Sequence, residues 1–134
     1  MKKIIFCLIV FVLATIGLAA AGEQKLSVEI IYLNHGPLQS TLKDIDSICA
    51  QYKDKITVSR YDFESPEGER FKNKKGITQH VPLMIWIDGK NSVSLNGKEI
   101  KFSGFPTGSG PAFFQGKWTM DDFRNALNEA TQKR

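Results

Sequence analysis

Apolar positions recur along this chain with two different periods, and the changes of period divide it into elements. "LSVEIIYL" (26–33) is dense in β-branched and aromatic residues and predicts a strand buried on both faces. Positions 38, 42, 45, 48, 49 and 52 are then apolar at helical spacing, which predicts a helix within "LQSTLKDIDSICAQYKDK". "ITVSRYDF" (56–63) predicts a second strand. In "ESPEGERFKNKKG", Ser65-Pro66 supplies a helix start and Gly76 a stop. "VPLMIWIDGK" (81–90) predicts a third strand, with Pro82 at its leading end, where a missing N–H is tolerated. Asp88-Gly89 turns the chain, and Asn96-Gly97 sits between two alternating runs in "SVSLNGKEIKF", a hairpin signature. A Gly/Pro loop, "GFPTGSGPAFFQGK", leads into a closing helix in "WTMDDFRNALNEATQ". Thr119 is suited to cap that helix, Asp121 and Asp122 suit its positive start, and Phe123, Leu127 and Ala130 share one face.

The predicted order is β-α-β-α-β-β-α. Helices between the first three strands imply right-handed parallel crossovers. The Asn-Gly hairpin adds an antiparallel edge. The fold class expected is therefore α/β, a mixed sheet with helices on both faces.

The full sequence of 134 residues suffices for one domain with one core. Its first 21 residues stand apart from the pattern above. Lys2 and Lys3 precede the unbroken apolar run "IIFCLIVFVLATIGLA", and "LAAAG" then offers small residues at the spacing a signal peptidase accepts. A secretory signal over residues 1–21 is expected, cleaved after Ala21 or, alternatively, after Gly22, with the domain spanning 22–134. An uncleaved membrane anchor is the other possibility, because the run is just long enough to cross a bilayer. Cys7 lies inside the run and not at its end, so a lipid attachment is not expected. The expected location is periplasmic or extracellular, and the expected partner is another exported protein or peptide. Membrane contact is expected only through an uncleaved leader.

Charge refines this picture. Removing residues 1–21 takes two lysines and no acid, leaving 16 basic against 14 acidic residues and a net charge of +2. No basic cluster with interleaved aromatics is present, which argues against nucleic acid. "KNKK" (72–75) is the densest basic patch and is expected to face solvent on a short helix. Cys49 is the only cysteine after the leader, so no internal disulfide forms in the domain. It falls on the apolar side of the first helix with Leu42, Ile45 and Ile48, which predicts a buried, inert thiol. An intermolecular pairing or a reactive Cys49 is the alternative.

Two stretches, "ITVSRYDFESPEG" and "KKGITQHVPLMIWIDGK", resemble the thioredoxin-like superfamily, and the likeness runs from about residue 26 to 131. The resemblance implies a cis bond at Val81-Pro82, beside a strand-to-helix elbow. The family's Cys-Gly-Pro-Cys would fall on His35-Gly36-Pro37-Leu38, where both sulfurs are missing. Thiol–disulfide exchange needs one thiolate to attack and a second thiol to resolve the mixed disulfide. Cys49, about 16 Å further along a helix, cannot stand in for the lost resolving thiol. The resemblance thus implies the scaffold without its redox chemistry. Glu29 matches the family's buried acid; a carboxylate near the strand start that still reaches water is the alternative.

His35, just before a helix start, is expected to be mostly neutral at pH 7 and able to cap, to donate to a peptide, or to ligate a metal. His80 is expected on the loop facing the elbow. Two histidines make an incomplete metal site, so His35 and His80 are weak metal candidates and no cofactor is expected. The long loop "GFPTGSGPAFFQGKW" (104–118) carries Phe105, Phe113, Phe114 and Trp118. Its rings predict either a partner-binding lip or a cluster folded back under the loop. "GSGPAF" lacks the third glycine of a phosphate loop and does not open a helix.

No catalytic residue is assigned. The leading expectation is an exported, redox-inactive module that binds a polypeptide. Its groove would use His35, Gly36, Pro37, Leu38, Val81, Pro82, Phe105, Phe113 and Phe114, with backbone before Pro82 free to pair with an extended peptide. Leu38 is expected to be replaceable by Asp without unfolding. The alternatives are a thiol oxidoreductase acting through Cys49 or a partner's cysteine, and a metal carrier using His35 and His80.

Overall fold

A computed structural model describes residues 22–134; the expected leader, its cleavage point and Cys7 fall outside the described residues. Three strands form the main sheet: β1 (Leu26–Tyr32), β2 (Ile56–Asp62) and β3 (Leu83–Ile87), in the order β2-β1-β3. A two-stranded sheet joins β4 (Ser92–Leu95) to β5 (Lys98–Lys101). The helices are α1 (Gln39–Ala50), α2 (Pro66–Lys75) and α3 (Met120–Gln132). Among the described residues, no helix is long and apolar enough to cross a membrane.

The strand alternation sorts the helices onto two faces. Val28 and Ile30 of β1, with Ile85 and Ile87 of β3, pack against Leu42, Ile45, Ile48 and Cys49 of α1 and Phe123, Ala126 and Leu127 of α3. The opposite face carries Ile31 and Trp86, which pack with Phe71 of α2 and with Phe63. The expected mixed sheet with helices on both faces is therefore present.

The helix ends follow from local chemistry. Ser65 Oγ accepts the Gly68 amide at 3.0 Å, and Gly76 ends α2 in a left-handed conformation at φ 68°. Thr119 and Asp122 form a reciprocal capping box on α3, with bonds of 3.1 and 2.8 Å. α1 is shorter than its apolar pattern and is preceded by a 3-10 turn at Gly36–Leu38.

Two expectations about the sheet are corrected. β1 and β2 are parallel, but β3 runs antiparallel to β1, with Leu83 opposite Tyr32 and Ile87 opposite Val28. α2 only half-traverses the sheet, bringing Lys75 to Glu29 in mid-strand. The segment 76–82 then carries the chain back, so β3 starts where β1 ends. The Asn-Gly hairpin is present, but β4 and β5 form their own sheet. The residues after β5 take the outer position beside β3: Ile85 donates to the Phe102 carbonyl at 3.1 Å, and Gly104 donates to the Leu83 carbonyl at 2.7 Å. Asn91 fastens this junction, donating from Nδ2 to the carbonyls of Ile85 and Phe102, each at 2.8 Å. The doubling back relies on two tight turns, Asp88-Gly89 and Asn96-Gly97, in which all four residues have positive φ.

Candidate functional site

The elbow begins where β1 runs out. His35 is extended, at φ −114° and ψ 151°, and its carbonyl accepts the Leu38 amide at 3.0 Å. Pro37 sets the first dihedral of this turn. The His35 side chain makes no capping bond, so its ring is free to face outward. Leu38 is 1% exposed and sits in the core with Leu42 and Phe105, which corrects the expectation that Asp can replace it without unfolding.

Opposite the elbow, the chain enters β3 through His80, Val81 and Pro82. All peptide bonds among the described residues are trans, so the cis bond expected at Val81-Pro82 is not present. The Pro82 carbonyl is held by the Leu33 amide at 2.9 Å, which fixes this step beside the end of β1 with the bond in its ordinary isomer. Among the described residues, residues 78–81 make no backbone–backbone hydrogen bond. Their amides and carbonyls are therefore available to a chain laid alongside.

The third wall is the loop between Gly104 and Trp118, and it is tied at its base. Phe105 donates to the Phe114 carbonyl at 2.9 Å, and Gly116 donates to the Phe105 carbonyl at 2.6 Å. The Trp118 indole, fully buried, donates to the Gly104 carbonyl at 3.2 Å. Gln115 braces the tip, accepting from the Gly108 amide and donating to the Gly110 carbonyl, both at 3.0 Å. Gly104 allows this closure: its φ is 79°, and a Cβ there would lie 2.5 Å from the Phe114 carbonyl oxygen. Thr41 of α1, itself buried, reaches Ser109 at 3.4 Å and ties the loop to the elbow helix.

The four rings of this loop divide. Phe105 and Trp118 fold inward, whereas Phe113 is 90% exposed and Phe114 41% exposed. The expectation of a cluster folded back under the loop thus holds for Phe105 and Trp118, whereas Phe113 and Phe114 stay at the surface. Phe113 and Phe114 meet edge to face at 5.3 Å, forming an exposed apolar lip.

These three walls enclose a cavity of about 220 Å³, lined by Leu33, His35, Pro37, Leu38, His80, Pro82, Phe105, Pro111 and Phe114. Of the expected groove residues, Gly36, Val81 and Phe113 do not line it. Val81 instead borders a neighbouring hollow with Lys75, Met84 and Trp86. Leu33 and Pro111 were not anticipated; Leu33 continues the apolar alternation of β1 one step past the strand's end. The lining carries no thiol, hydroxyl or carboxylate. It offers apolar shape and two imidazole rings. Among the described residues, no third His, Cys, Asp or Glu joins the histidines in a cluster that could hold a metal ion.

Other ionisable groups that the sequence singled out lie away from this cavity. Cys49 is buried in α1 against the core, and desolvation pushes its thiol from 9.0 up to about 11. Glu29 faces α2, where Lys75 Nζ meets its carboxylate at 2.7 Å; its side chain is 14% exposed, so the paired carboxylate still reaches water. Lys75 also lies 5.2 Å from the Trp86 ring centroid, and Lys72 lies 4.1 Å from that of Phe63. The basic patch therefore does not simply face solvent: two of its three lysines hold their ammonium groups over aromatic rings.

No protein-family model matches this chain, and no curated protein matches its sequence.

Proposed function

We propose that this protein is an exported, redox-inactive domain of thioredoxin-like architecture that binds an extended segment of another polypeptide. The observation that carries this is the apolar cavity between the elbow, the Pro82 step and the aromatic loop. An exposed phenylalanine stands at its lip, and the unpaired backbone of 78–81 meets the cavity at His80. An apolar side chain of the partner fills the cavity, and its main chain pairs with the free backbone, as in strand addition. The element order, the β2-β1-β3 strand order and the meeting of elbow and Pro82 support the thioredoxin-like assignment. The trans bond at Pro82 departs from that family. Among the described residues Cys49 is the one thiol, and its burial counts against the alternative of a thiol oxidoreductase acting through it.

The test is photo-crosslinking with a photoreactive phenylalanine analogue at position 113 and, as a control, at position 98 on the β4–β5 turn. Defined adducts from position 113 that disappear when Phe114→Asp is added support the groove. Identical adducts from both positions, or adducts indifferent to Phe114→Asp, refute it.

A further inference from the structure

The chain has only two histidines, His35 and His80, forty-five residues apart, and both line the same apolar cavity. The geometry points to acid-triggered release: the cavity holds an uncharged apolar segment at neutral pH and lets it go when the two rings become cationic. This inference rests on the groove proposed above and adds its regulation.

An imidazole in water gains its proton near pH 6.5, so these are the side chains whose charge changes between pH 5 and 8. His35 and His80 are both exposed in the free protein. A docked apolar side chain removes water from both rings, and a cation under apolar cover is unfavourable. Binding therefore competes with protonation, and affinity is lost as the pH falls.

The surroundings do little to counter this. No other ionisable side chain lines the cavity. His80 also borders a second hollow, where α2 presents Glu69 and Lys72. Those two neutralise each other in an ion pair at 2.7 Å, so neither provides an unpaired countercharge for the imidazolium. On its other side His80 meets the Phe63 ring edge to face, at 5.2 Å between centroids.

Nile red, a neutral dye for apolar sites, serves as the probe, with far-UV circular dichroism confirming the native fold at each pH. Each pH unit by which desolvation opposes protonation is worth about tenfold in affinity. With two rings, the wild-type Kd should weaken by about 10- to 100-fold between pH 7.5 and 5.0. In the His35→Asn/His80→Asn variant the two values should agree within about threefold, because neither side chain titrates. Equal wild-type affinity at both pH values, or an undiminished change in the double variant, overturns acid release while leaving the groove intact. If no dye binds at pH 7.5, or Phe114→Asp binds it equally well, the groove itself is refuted and acid release falls with it.

Discussion

Cys49 gives the sharpest test of how this core treats a reactive group. Its thiol lies on the inner face of α1, 6% exposed, among Leu42, Ile45 and Ile48. Burial moves its pKa from 9.0 to about 11, so at pH 8 the thiolate fraction falls from about one in ten to about one in a thousand. Alkylation by iodoacetamide needs the thiolate. The folded protein should therefore react about 100-fold more slowly than the unfolded chain, before any steric protection is counted. The same shift links ionisation to stability. A thiol whose folded pKa is raised binds its proton more tightly in the native state, so its contribution is complete below pH 9 and is lost as pH climbs from 9 to about 11. Denaturant titrations at pH 8 and pH 10.5, on wild type and Cys49→Ala, should show a steeper alkaline loss for wild type, by about 1–2 kcal/mol. Folded-state labelling within tenfold of the denatured rate would refute the account, as would identical alkaline slopes for the two proteins.

Two further substitutions separate core from lip and test a buried ion pair. Leu38→Asp places an unpaired carboxylate among core side chains and should cost more than about 3 kcal/mol in urea unfolding, whereas Phe113→Asp should stay within about 0.5 kcal/mol of wild type; comparable losses would contradict the division. Lys75→Met leaves Glu29 half-buried without its partner and should cost about 1–3 kcal/mol, with much of the loss recovered by adding Glu29→Gln. A double variant as unstable as the single one would show that the loss does not come from the unpaired carboxylate.

The elements whose signals are local were legible in the chain. Ser65 and Gly76 bracket α2, Thr119 caps α3 and Asn96-Gly97 turns β4 into β5, because each rests on a side-chain or backbone preference within a few residues. Strand direction was not legible. Whether β3 runs with or against β1 depends on how far α2 travels before the chain turns back, and no periodicity encodes that distance. The expectation that Asp could replace Leu38 without unfolding came from its place in a family motif, while its apolar side chain was already in phase with Leu42 and Ile45. The groove was anticipated through its three walls. Leu33 and Pro111 were not, because contacts between segments so far apart in sequence leave no local pattern. The pairing of Glu29 with Lys75, 46 residues apart, was invisible for the same reason.

The tied base of the 104–118 loop has a practical consequence. The Phe105–Phe114 and Phe105–Gly116 bonds close a ring that shares its anchor with the buried Trp118 indole. Residues 107–113 hang from that clasp but are braced within it: Ser109 meets Thr41, Gln115 holds Gly108 and Gly110, and Gly110 lies so close to the Phe105 ring that a Cβ there would clash. The freedom to change sequence is confined to the exposed side chains of Ala112 and Phe113, outside these ties.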